Sequence, residues 1–262
     1  MLSSVSVSES FVLSHGYLSD LVMTQYPKHP FQQMNVSKAE MRSLLAEYLG
    51  MSTAFPYLQA GACGPQILGA IQSNRPIKED FELTSVIGSF LVWDELGGWY
   101  NTVQRGVRGL PHILNTKTFH ANILKKDLLN LFGEEVNPAF QGETQKYLFA
   151  LYQRLASDDS LVRVAAMVSF EQHAERMITE LWASVQQAFQ VEKNQLRYFA
   201  AHVGGSDPAE AYHVKMTESL MEKVVGDRTN EFEELFMDSY GLHINWCEAI
   251  KVSNSASEAQ KF

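Results

Sequence analysis

The chain has 262 residues, 45% of them hydrophobic and 19% charged, with a formal net charge of -9. That is enough apolar material for one large core, and the acidic balance argues against a nucleic-acid partner, whose phosphates need clustered Lys and Arg. Two cysteines, Cys63 and Cys247, are too few for a disulfide framework or a thiolate zinc site and point to a reducing compartment. No apolar run reaches the ~18 residues of a membrane helix, and the N-terminus lacks the basic and apolar regions of a signal peptide, so a cytoplasmic protein with no membrane partner is expected.

Residues 1–30 read as an N-terminal extension or helix. Ser37 and Glu40 then form the Ser-x-x-Glu pattern of a capping box. Met41, Leu44, Leu45, Tyr48 and Leu49 follow at helical spacing, with Pro56 and the Gly61–Gly64 region expected to interrupt what comes next. Further helical patterns run from about Lys78 to Gln104 and from about Thr116 to Phe132, where Gly133 stops the latter. The stretches "PAFQGETQKYLFALYQRLAS" and "DSLVRVAAMVSFEQHAERMITELWASVQQAF" are also helical, and a last helix is expected from Thr229 to about Ile250. Residues 253–262 are small and polar and are expected to form a flexible tail. Strand signals are nearly absent. The expectation is an all-α, single-domain bundle of about seven to eight helices covering residues 1–262.

The stretch "FAAHVGGSDPAEAYHVKM" carries the densest group of ligand-type side chains. Gly204-Gly205 is expected to end one helix, and Asp207-Pro208-Ala209-Glu210 to start another with Asp207 as its cap. His202 then closes the first helix, while Glu210 and His213 share a face of the second. Glu-x-x-His projecting into a bundle is a di-iron carboxylate signature, weak by itself because such pairs are common on helix surfaces. Further ligand-type residues lie upstream. Glu171 sits in an apolar helix where a lone carboxylate is costly. Asp94-Glu95 closes another apolar face, and His120 opens a leucine-rich helix.

Taken in order, these residues resemble the haem-oxygenase-like di-metal oxidases, the superfamily that includes the chlamydial CADD protein. "DELG" at Asp94–Gly97 matches the end of that family's first ligand helix, and His120 through Gly133 matches the element after it. The closing His-x-x-x-carboxylate-x-x-His motif is stretched here to His202, Glu210 and His213. The resemblance implies a haem-oxygenase-like fold with Glu95, His120, Glu171, His202, Glu210 and His213 as metal ligands. It implies two Fe(II) ions, with manganese as the other choice, and O2 as co-substrate. It further implies oxidation of a small metabolite such as an amino acid or fatty acid, a homodimer, and room for an external electron donor. Two departures leave alternatives open. The long gap after Glu95 contains His112, a rival to His120, and the insertion before Glu210 makes Asp207 its rival.

Arg105 and Arg108, in that gap, are weaker candidates for holding a substrate carboxylate. His173 is expected off the Glu171 face, and His15, His29 and His243 have no motif context. Two other functions are compatible with the sequence: a haem-oxygenase or thiaminase type of enzyme without a di-metal site, and a helical interaction protein without activity.

Overall fold

The computed structural model describes residues 13–259. Among them are ten α-helices and no strand: α1 (His15–Gln25), α2 (Lys38–Gly61), α3 (Gly64–Gln72), α4 (Glu79–Glu95), α5 (His120–Phe132), α6 (Gly142–Leu155), α7 (Ser160–Phe189), α8 (Arg197–His202), α9 (Glu210–Val224) and α10 (Thr229–Ala259). The count exceeds the expected seven to eight because short pieces stand apart, α3 ending before Asn74 (φ 48) and α8 before the turn at Gly205 (φ +68).

Helix α2 opens with the complete capping box, Ser37 and Glu40 each bonding the other's backbone. Pro56 does not interrupt this helix but lies inside it. It removes one backbone bond, and the buried Phe55 and Gln59 around it hold the helix to its packing partners. The pattern expected to run to Gln104 stops instead at Glu95, where Gly97 takes φ +76 and a separate π-helical turn begins at Trp99. The last helix is assigned past Ile250 to Ala259, and residues 260–262 of the expected tail lie outside the described residues.

Helix α7 is the axis of the bundle. Its buried residues run almost unbroken from Leu161 to His173 and resume at Met177, so it is covered on several sides, as an all-round apolar helix must be. Helices α4, α6, α9 and α10 pack against it, and α2 crosses α4, α5 and α6. Tyr48, Phe31, Phe199, Phe232, Phe236 and Tyr240 are among the largest fully buried side chains.

One glycine marks how close this packing is. A Cβ on Gly50 would strike the backbone of Ala139, whose N–H bonds Ala46 O at 2.9 Å. Gly50→Ala is expected to cost ~2–3 kcal/mol, because backbone cannot rotate out of the way. Gly69→Ala, where nothing lies within 4 Å of the new methyl, should gain ~0.5–1 kcal/mol through helix propensity. Urea unfolding midpoints of the two variants should therefore move in opposite directions.

Candidate metal centre

Five helices deliver one ligand-type side chain or pair each. Asp94 and Glu95 end α4, His120 begins α5, Glu171 lies in the middle of α7, His202 ends α8, and Glu210 and His213 lie in the first turn of α9. The turn after α4 is built to bring α5 back. A Cβ on Gly97 would meet Thr118 Oγ1 at 2.5 Å and its carbonyl oxygen at 2.8 Å, so the segment before His120 lies directly against it. Asn101, buried in that turn, donates to Asn115 O at 3.2 Å and ties the loop down.

The six residues expected from the sequence converge. Glu210 lies between the three imidazoles. Its Oε1 is 3.1 Å from His202 Nε2 and 3.5 Å from His120 Nδ1, while its Oε2 is 3.6 Å from His213 Nδ1. Glu95 approaches His120 Nδ1 at 3.5 Å, and Glu171 approaches His213 Nδ1 at 3.2 Å. Glu210 thus faces two half-sites, one formed by Glu95, His120 and His202 and the other by Glu171 and His213. His112, the rival to His120, is exposed in a 3-10 turn, whereas His120 is buried.

Each imidazole has an oxygen behind it, at hydrogen-bond distance for His202 and His213 and at ion-pair distance for His120. His202 Nδ1 donates to Tyr198 O at 2.8 Å, which leaves the lone pair of Nε2 turned inward. His213 Nε2 faces Asp94 Oδ2 at 3.0 Å, and His120 Nε2 faces Asp207 Oδ2 at 3.7 Å. An acceptor on the outer nitrogen fixes ring orientation and directs the inner nitrogen, as around protein-bound metals. Asp207 does not cap α9, whose cap position falls on Ala209. Its Oδ1 accepts the Ala209 N–H at 3.0 Å, which frees Oδ2 for His120. The sequence placed the helix start two residues early because Asp-Pro-x-Glu is a strong start signal. Asp207 Oδ2 lies instead 3.7 Å from the His120 imidazole.

The electrostatics are compatible with a bound cation. Asp94, Glu95, Glu171, Asp207 and Glu210 surround three imidazoles, and all eight residues are buried or half-buried. Burial opposes charge on His120, but Glu95 and Asp207 raise it well above its ordinary value, and Glu171 and Asp94 do the same for His213. Burial raises Glu171 and Asp94, the nearby histidines only partly offsetting it. Burial would also raise Glu95, yet the charged His120 beside it holds it down. Both nitrogens of His120, Glu210 Oε1, Asp94 Oδ1 and Asp207 Oδ2 lack a hydrogen bond of good geometry among the described residues. Buried polar atoms left in that state are uncommon. This mixed carboxylate and imidazole set could hold metal ions, and its chemistry suits iron or manganese.

A cavity of about 530 Å3 opens onto the centre. Met51, Phe55, Phe170, Met177, Ile178 and Val214 form its apolar walls, with Tyr48, Tyr198, His15 and Glu175 as polar positions. Tyr48 and Tyr198 share a 2.6 Å hydrogen bond, and Asp127 Oδ2 accepts the Tyr198 N–H at 2.8 Å, pinning the start of α8. Arg105 and Arg108 do not reach this cavity. Both are exposed, on a segment that Gly106 (φ +59) turns outward.

A second buried group joins His29, His173, His243 and Cys247, none of which the sequence set apart. His29 Nδ1 accepts the Phe31 N–H at 3.1 Å, so its proton sits on Nε2 and points at His173 Nε2, 3.2 Å away. His243 lies between Tyr147 and Ser169, at 2.9 and 3.3 Å. These contacts satisfy the group without an ion.

No protein-family profile matches the chain, and no curated protein matches it. Among solved structures, a CADD-like protein of unknown function from Nostoc punctiforme shares the fold. It has a TM-score of 0.66 and 13% identity, over 91% of this chain and 97% of that one. The likeness is one of CADD-like fold.

Proposed function

We propose that this chain is a non-haem di-metal oxidase, with two ferrous ions held by Glu95, His120, Glu171, His202, Glu210 and His213. The observation that carries the reading is Glu210, whose two oxygens face imidazoles on opposite sides while each imidazole is backed by an acceptor. Two ferrous ions in such a centre supply the electrons that activate O2 for oxidation of a small metabolite.

The protein's own share follows from the geometry. Glu210 bridges the half-sites. Asp94, Asp207 and the Tyr198 carbonyl keep the three rings turned inward. Loading metal releases the protons that His120 and His213 hold in its absence, so affinity should rise with pH. The apolar walls keep water from the centre and receive the apolar body of a substrate. No Lys or Arg lines that cavity among the described residues, which favours a substrate held by shape over one anchored through a carboxylate. Manganese is the alternative metal.

The test is an anaerobic iron count on wild type and His213→Ala, followed by exposure to O2. Two irons per chain in the wild type, lost in the variant, with a transient visible absorbance after O2, is the expected result. No stoichiometric iron would sink the reading. A thiaminase-like reaction is less well supported, because neither Cys63 nor Cys247 lines the cavity.

A further inference from the structure

We propose a second ligand site, separate from the metal centre, in which Arg163 and Gln59 hold a small carboxylic acid that also carries a second hydrogen-bonding group such as a hydroxyl. The site is a pocket of about 260 Å3 among α2, α4 and α7, lined by Gln59, Thr84, Trp93, Arg163 and Met167. A neighbouring pocket of about 180 Å3 shares Phe81 and Arg163 with it and adds Arg75 and Lys78, with Asp80 as its one carboxylate. Together they reach the lower end of the ~300–1,000 Å3 typical of small-molecule sites. None of these residues lines the metal cavity, so the inference does not depend on the di-metal reading.

Arg163 is 5% exposed. Its Nε donates to Thr84 Oγ1 at 3.3 Å and its Nη1 to Ser157 O at 2.7 Å, both neutral acceptors. Nη2 has no hydrogen-bond partner among the described residues, and no described carboxylate comes within 4.0 Å of the guanidinium. Asp80, Asp158 and Asp159 are close enough to favour its charge, but Asp159 is paired with Arg228 at 3.0 Å. A buried cation without an anion in contact is costly. A planar carboxylate fits the open side of a guanidinium.

Gln59 supplies the second half of the argument. It is 7% exposed and lines the same pocket. Its Oε1 is sealed from solvent without a hydrogen-bond partner, and its Nε2 has none among the described residues either. An amide bonded at neither end asks for a polar partner that no described side chain provides. Gly88 faces it, and a Cβ there would collide with the Gln59 amide, so the glycine keeps that side chain in place. Between Arg163 and Gln59 the walls are apolar and aromatic, with Phe81, Trp93 and Met167 contributing. The ligand class is therefore a short or aromatic acid with a hydroxyl or amine.

The protein carries its own reporter. Cys63 lines this pocket and is exposed, while Cys247 is buried. The rate at which iodoacetamide alkylates Cys63 should fall saturably with para-hydroxybenzoate, less with benzoate, and not with benzamide. Arg163→Met should raise the half-protecting concentration by about 10-fold or more, the loss expected for a charged hydrogen-bond pair. Gln59→Leu should erase the advantage of para-hydroxybenzoate over benzoate. If Arg163→Met does not fold, Arg163→Lys keeps the charge without the fork and should still weaken protection. His213→Ala should leave protection unchanged, which separates this site from the metal centre. The proposal is overturned if neither acid protects Cys63, if benzamide protects equally, or if protection survives unchanged in both Arg163→Lys and Gln59→Leu.

Discussion

Replacing Glu210 with glutamine should leave a folded protein that no longer binds two ferrous ions. Glutamine has the shape of glutamate, so α9 keeps its packing. It lacks the charge and the second anionic oxygen that face His120 and His202 on one side and His213 on the other. Bound iron, read anaerobically against a chromogenic chelator, should fall from two per chain to one or fewer. Asp94→Asn and Asp207→Asn touch only the outer nitrogens of His213 and His120, so they should weaken binding by a smaller factor, about 10–100-fold. The metal-free Glu210→Gln protein should also melt higher than metal-free wild type, because one of five crowded acids is gone. An unchanged iron count in Glu210→Gln would remove the bridge and the di-metal reading with it.

Acid should destabilise the metal-free protein well before its surface carboxylates titrate. Burial pushes His29 and His243 down to about 3, from an ordinary value of 6.5, and pushes His173 well below that value too. Below about 6.5 the unfolded chain binds protons that the folded chain refuses, so stability is full above about pH 6.5 and falls with pH below it. Each histidine contributes at most ~1.4 kcal/mol per pH unit, and the three together ~4. Urea midpoints measured from pH 6.5 down to pH 5 should show this slope, and His243→Asn should remove about a third of it. A flat profile would mean that these rings take up protons inside the fold. On the alkaline side the sign reverses. His120 and His213 are raised, so their contribution is complete below pH 6.5 and fades as pH climbs through their folded values.

The helices were legible because their signals are local. The capping box at Ser37, the leucine stripe behind His120 and the stop at Gly133 each depend on neighbours a few residues away, and each appears in the structure where expected. The six candidate ligand residues came from the resemblance and its order along the chain, and the structure places all six side chains close together. What escaped was tertiary. Asp207 reads as a cap because capping is the common use of Asp before Pro. Only the arrival of His120 from α5, 3.7 Å away, shows what its second oxygen faces. Asp94 adjoins Glu95 in sequence, and nothing local says that it faces His213 while Glu95 faces His120. Arg105 and Arg108 attracted attention by charge alone, and the turn at Gly106 sends them to solvent. His29 and His243 carried no pattern because an isolated buried histidine leaves none.

The spread of the centre over α4, α5, α7, α8 and α9 has a consequence for how the chain matures. The first half-site draws Glu95 and His120 from the early chain, but its third imidazole and the bridge come from residues 202 and 210. During synthesis the nascent chain therefore holds no complete half-site until α9 has left the ribosome, so under the proposed function metal capture would wait until the bundle can close around it. Ions held there would join residue 95 to residue 213 only in the folded chain. Binding to the folded state alone would stabilise it by mass action, more strongly as free metal rises. Metal supply would then bear on how long-lived the protein is.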